Sequence, residues 1–210
     1  MGIGFVILLH LVGIGIVSVI VSIPTGLLTT LLSSKERRKQ KVFAAVLSPF
    51  FAFYTFYFVA LFGSIVVSEI KNVDVGIGDS FYVPLGDNCE LRFIDLPEYA
   101  YIENNGKQIV YAISEVQQVG HHIYGKTTDD KYFSYEIKAG ELKKFDSMDK
   151  LLVKSSAMEI ELTPVNEFYN DRRSTVVGFW MIAVGIIAAI ASLTIVYLLI
   201  RVIVGYLSFR

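Results

Sequence analysis

Three stretches of this chain, residues 1–32, 42–67 and 175–200, contain no Asp, Glu, Lys or Arg. Each exceeds the roughly 20 apolar residues that cross the hydrocarbon core of a bilayer. Between the second and the third lies a polar stretch, about half of the protein, with the composition of a domain in water. This layout predicts a membrane protein of the α+β class, with three transmembrane helices and one medium-sized domain on one side. The expected division is 1–33 for the first helix, 34–41 for a basic loop and 42–68 for the second helix. The polar domain follows at 69–173, the third helix at 174–203 and a short tail at 204–210.

Charge orients this plan. Residues 33–41 hold five basic side chains and one acid, whereas residues 69–173 hold 12 Lys/Arg against 19 Asp/Glu, a net of −7. Short basic loops are retained in the cytoplasm, so the loop and the C-terminus are expected inside a bacterial cytoplasmic (inner) membrane, with the N-terminus and the polar domain outside. Arg201 agrees with this orientation, and Arg172 and Arg173 oppose it mildly. The first run is about twice the length of a signal-peptide apolar region and no positive residue precedes it, so it is expected to stay as a helix.

Within the helices, Ser18, Ser22 and Gly26 recur every fourth residue, and Thr30 continues the row. Gly185 with Ala189, and Ala188 with Ser192, repeat the spacing in the third helix. Lipid gives apolar helices no drive to associate, so small side chains that let backbones approach mark packing faces, here for neighbouring helices or another subunit. Pro24 and Pro49 can each kink their helix. The aromatics of the second helix, Phe50 to Phe62, surround it and read as bulky packing. Trp180 and Tyr206 sit where interfacial anchors are expected. His10 is the one ionisable side chain deep in the first two spans, and a proton or ion path needs several such groups.

The polar domain reads as mainly antiparallel β. Turn signals separate short segments at 80–85, 89–95, 98–103, 107–113, 121–125, 131–138 and 141–145, and Asn104-Asn105-Gly106 is the clearest hairpin. Seven or eight strands would form a sandwich, a barrel or a curved meander, ending in short helices. Asp146 or Ser147 caps one helix running to about residue 154. Thr163 and Pro164 are the N-cap and first residue of another, which can continue into the third span. Residues 72–79, with two glycines, read as a loose tether.

Chemistry is sparse. If His121 and His122 lie on a strand, they point to opposite faces and cannot share a metal. Cys89 has no partner for an internal disulfide, and Asp87 and Glu90 beside it disfavour a thiolate. Asp87, Glu90, Asp129 and Asp130 lack the regular spacing of a calcium loop. There is no nucleophile elbow and no glycine-rich phosphate loop, so no catalytic residue, metal or cofactor is assigned. Tyrosines are abundant, and outward ones suit contact with a partner or ligand; the candidates are Tyr99, Tyr101, Tyr111, Tyr124, Tyr132 and Tyr135.

These features point to a non-enzymatic accessory or structural subunit of a membrane assembly that presents its β domain to a partner or ligand. Its expected partners are the bilayer and an integral membrane protein or a second copy of the chain. The acidic domain argues against nucleic acid. The competing classes are an enzyme acting at the outer face through His121 or His122 and nearby acids, and a subunit of an oligomeric channel or transporter, for which the spans offer no polar pore face.

Overall fold

The structure, a computed structural model, describes residues 3–76, 78–155 and 160–206. The first two residues, most of the 204–210 tail and the side chain of Tyr206 lie outside the described residues. The chain divides into two compact units, Met1–Val66 with Phe179–Arg210, and Val67–Gly178.

The first unit is helical. Helices α1 (Ile3–Leu32), α2 (Arg38–Lys71) and α4 (Val165–Tyr206) are each long and apolar enough to cross a membrane. Between α1 and α2, the Ser22 hydroxyl donates to the Val46 carbonyl at 2.7 Å and the Tyr54 hydroxyl to the Leu11 carbonyl at 2.9 Å. Gly26 makes the approach possible, because a Cβ there would lie 2.7 Å from Val46 Cγ2. Between α2 and α4, the Ser192 hydroxyl reaches the Ala52 carbonyl at 2.9 Å, and a Cβ on Gly63 would lie 2.7 Å from Val184 Cγ1. The paired numbers fall on one helix as they rise on its neighbour, so α2 runs antiparallel to both. Arg37 donates to the Val204 carbonyl at 3.1 Å and Arg38 to that of Thr30, which satisfies carbonyls left over at two helix C-termini.

The second unit holds two antiparallel sheets. The first contains β1 (Ser80–Gly86), β2 (Cys89–Ile94), β3 (Tyr101–Asn104) and β4 (Lys107–Tyr111) in sequential order. The second contains β5 (Ile113–Val119), β6 (His122–Thr127), β7 (Tyr132–Glu136), β8 (Glu141–Phe145) and the two-residue β9 (Thr163–Pro164), in the order β8-β7-β6-β5-β9. Two-residue turns with positive φ close the first hairpins, Asp87-Asn88 and Asn105-Gly106. The chain changes sheet at Ala112, a non-glycine residue at φ 56°.

Register explains the core. Val83, Leu91, Ile102 and Val110 lie opposite one another across all four strands of the first sheet, and all four are buried. Phe133 and Tyr135 of β7 are also buried, and Asn104 of β3 donates to the Tyr135 hydroxyl at 2.6 Å. Helix α3 (Met148–Ser155) covers the other face of the second sheet, where Tyr124, Phe145, Leu151 and Ile160 form a cluster. Each buried aliphatic side chain contributes roughly 2 kcal/mol, whereas an exposed ion pair such as Lys126–Asp130 is screened by water and adds little. The apolar rows therefore hold this unit together.

Two expectations need correction. Residues 72–76 are not a loose tether: Val73 and Asp74 are buried, and Asp74 is hydrogen-bonded on every side, as described below. Thr163 and Pro164 do not open the last helix. They pair as β9 with Val116 and Glu115, and α4 starts at Val165 and runs without a break through 171–174.

Candidate functional site

The side of the first sheet opposite its apolar row carries a second row. Tyr82 lies opposite Arg92, Arg92 opposite Tyr101, and Tyr101 opposite Tyr111. Residues paired in this way share a face, so the four side chains cross the sheet side by side. The Arg92 guanidinium lies over the Tyr82 ring at 5.4 Å from its centre, and its Nη1 lies 3.3 Å from Glu103 and 3.6 Å from Glu90. Its Nε is buried and has no acceptor. The last turn of α2 and the residue after it lie at the Tyr82 end, where Ser68 meets the Tyr82 hydroxyl at 2.9 Å and Asn72 donates to Glu90. The other end is open, and Tyr111 is 52% exposed.

Beside Tyr111 the surface dips into a cleft of about 550 Å³ that runs along β4. Thr128, Asp129, Lys131 and Lys144 supply its polar groups, and Phe133 lies in its wall. The loop across the cleft is built by local bonds. Thr127 donates to Asp129 at 2.5 Å, Lys131 stands 3.5 Å from the same carboxyl, and the Thr128 N–H meets the Ala112 carbonyl at 2.8 Å. The Thr127 hydroxyl and then the Lys131 charge hold the Asp129 carboxyl below its ordinary value. Aromatic rings, a stacked guanidinium and a mixed-charge cleft suit recognition of another molecule; they do not assemble a nucleophile with a base.

A second polar cluster joins residues 72–76 to the start of α4. The Asp74 carboxylate accepts from the Tyr169 hydroxyl at 2.5 Å and from the Gly76 N–H at 2.7 Å. The Asp74 carbonyl accepts from Arg173 at 3.0 Å, its N–H donates to the Tyr82 carbonyl at 3.0 Å, and Arg172 donates to the Pro84 carbonyl at 3.0 Å. The Tyr169 ring stands edge-on to Phe81 and Phe93, with centres 6.0 and 5.1 Å away.

The tyrosines singled out from the sequence therefore divide. Tyr99 and Tyr111 are exposed, and Tyr101 and Tyr132 are half-buried. Tyr124 and Tyr135 are core residues, at 4% and 1% exposure, and have no surface to offer a partner. Of the small residues, Ser18 and Ser22 are buried, Gly26 touches α2 through Val46, and Ser192 bonds α2. Ala189 is half-buried, and a Cβ on Gly185 would meet nothing within 4 Å, whereas Ala188 is fully buried. His121 stands in a turn, 3.6 Å from Asp87, and His122 stacks on Tyr124. Among the described residues, no three His, Cys, Asp or Glu side chains converge as a metal site. His10 meets the Tyr57 hydroxyl at 3.3 Å in an apolar groove between α1 and α2.

Cys89 is buried. Desolvation, with the Glu90 charge beside it, pushes its thiol from 9.0 up to about 12. Between those values the unfolded chain loses the proton and the folded chain keeps it, so this group lowers stability as pH rises through that window. At neutral pH a maleimide is expected to leave Cys89 unlabelled in the folded protein and to label it fully in denaturant. Fast labelling without denaturant, followed by mass spectrometry, would contradict this burial.

Compared with protein-family models, curated proteins and solved structures, the chain finds no match in any of the three.

Proposed function

We propose that this chain is a non-enzymatic accessory or structural subunit of a bacterial cytoplasmic-membrane assembly, and that it binds a partner protein through the open Tyr101–Tyr111 end of its aromatic row. The observation that carries this reading is the row itself. Tyr and Arg are the side chains that dominate binding energy at interfaces, and here they stand on a sheet whose other face is the core. A rigid sheet presents such groups at small entropic cost.

In this reading the loop 34–41 and the C-terminus lie inside, and the N-terminus and residues 69–173 lie outside. Arg172 and Arg173 weigh little against that orientation, because they are tied to the Pro84 and Asp74 carbonyls. The unbroken α4 supports a further element: a change at the outer domain passes along this helix into the third span.

The test is Tyr111→Ala in the full-length protein, extracted from its host in mild detergent and examined by native mass spectrometry. Tyr111 is half exposed, so the fold is expected to persist. Removing an interface tyrosine costs about 2 kcal/mol, so the variant is expected to hold the partner roughly 30-fold more weakly. Unchanged co-purification would remove this face from the interface.

A further inference from the structure

A second groove in the helical unit, distinct from the aromatic row, runs between α1 and α2 and ends at the basic loop. It measures about 530 Å³, and Val19, Ile23, Leu27, Val46 and Phe50 give it apolar walls. From Val19 to Thr30 it follows α1 for about 16 Å, at 1.5 Å per residue, which accommodates much of a fatty acyl chain. Thr30 and Val42 line it as well, and Arg38, which donates to the Thr30 carbonyl, marks where the loop meets it.

The α1–α2 loop and the first turn of α2, from Arg38, are basic. Arg37 and Arg38 each donate to a helix-end carbonyl, and a guanidinium has five N–H donors in all. Lys41 bonds the Ser34 hydroxyl at 3.1 Å, and Lys35 and Lys39 are exposed. One acid, Glu36, stands among these five cations.

We infer that this groove and loop together bind an anionic phospholipid, with an acyl chain along α1 and the phosphate at the loop. A soluble anion matches the cations and leaves the groove empty. A zwitterionic lipid fills the groove and leaves the cations without net countercharge. An amphiphile with a net negative head matches both, and each lysine beside an anionic head group adds to its retention. The site rests on the reading of α1 and α2 as membrane spans and is independent of the partner proposed above.

Native mass spectrometry of the full-length protein in neutral detergent tests this with three probes: phosphatidylglycerol, phosphatidylcholine of the same chains, and glycerol 3-phosphate. One phosphatidylglycerol per chain is expected to bind at least tenfold more tightly than phosphatidylcholine, with no competition from glycerol 3-phosphate. The double variant Lys35→Ser, Lys39→Ser is expected to lose most of this preference, binding the two lipids within about threefold of one another. Ile23→Trp, at a position 61% exposed, fills the groove and is expected to displace the lipid with the charges intact. Equal binding of the two lipids by the unaltered protein, effective competition by glycerol 3-phosphate, or full retention by Ile23→Trp would each overturn the proposal.

Discussion

Gly125→Ala is expected to destabilise the β unit by about 3 kcal/mol, the upper end of what overpacking costs. A Cβ there would lie 2.4 Å from Cζ of Phe133, the residue directly opposite on β7, and 2.8 Å from the Glu115 carbonyl oxygen. A ring alone can turn aside. The carbonyl belongs to the backbone of β5 and cannot move without breaking the pairing of β5 with β6. Gly125 is thus needed for space, with the Phe133 ring lying over it as part of the core. Hydrogen exchange of the full-length protein in micelles reads the effect: amides of β5, β6 and β7 should exchange on the order of 100-fold faster, while those of α1 hold their protection. Unchanged exchange in the three strands would contradict the described packing.

Asp74→Ala is expected to cost a similar amount, about 3 kcal/mol, because it removes a buried acceptor and strands its donors. The Tyr169 hydroxyl loses its carboxylate and the Gly76 N–H loses the bond that shapes the turn. Tyr169→Phe keeps the ring against Phe81 and Phe93 and loses only the hydroxyl, so about 2 kcal/mol is expected. The two changes remove the same bond, and the double variant should cost little more than Asp74→Ala alone. Protection of residues 72–76 and of the first turns of α4 is the readout. Additive losses would show that the two residues act separately.

Parts of this architecture were legible because the signal is local. The three apolar runs need only composition, and they coincide with three helices long and apolar enough to cross a membrane. Asn105-Gly106 and Asp87-Asn88 announce hairpins because those residues accept positive φ. The helix from Met148 follows Ser147, whose hydroxyl reaches the Lys150 N–H at 3.5 Å as a cap would.

What stayed hidden depends on partners far along the chain. Asp74 and Tyr169 are 95 residues apart, so the glycines near Asp74 suggested freedom where a distant hydroxyl imposes order. Ala112 carries no turn signal, yet the chain changes sheet there at φ 56°. The aromatic row needs the register of three strand pairs, which places Tyr82 and Arg92 in line with Tyr101 and Tyr111. Alternation alone also could not sort the tyrosines of the second sheet. Its two faces are both covered, one by α3 and one by the core, so Tyr124 and Tyr135 are buried on opposite sides. In α4 the four-residue spacing fits two neighbouring stripes, and only the helix's rotation decides that Val184, Ala188 and Ser192 are buried while Gly185 stands open.

The most direct test of a partner on the open end of the row is site-specific photocrosslinking. A benzophenone-bearing phenylalanine in place of Tyr111, in membranes of the native host, samples whatever lies within a few ångströms of that face. A partner on this face gives one crosslinked product containing a second, different membrane protein, and no such product when the same group is placed at Lys138, in the β7–β8 turn. Crosslinks to lipid or solvent alone, or the same products from both positions, would contradict a partner-binding role for this face.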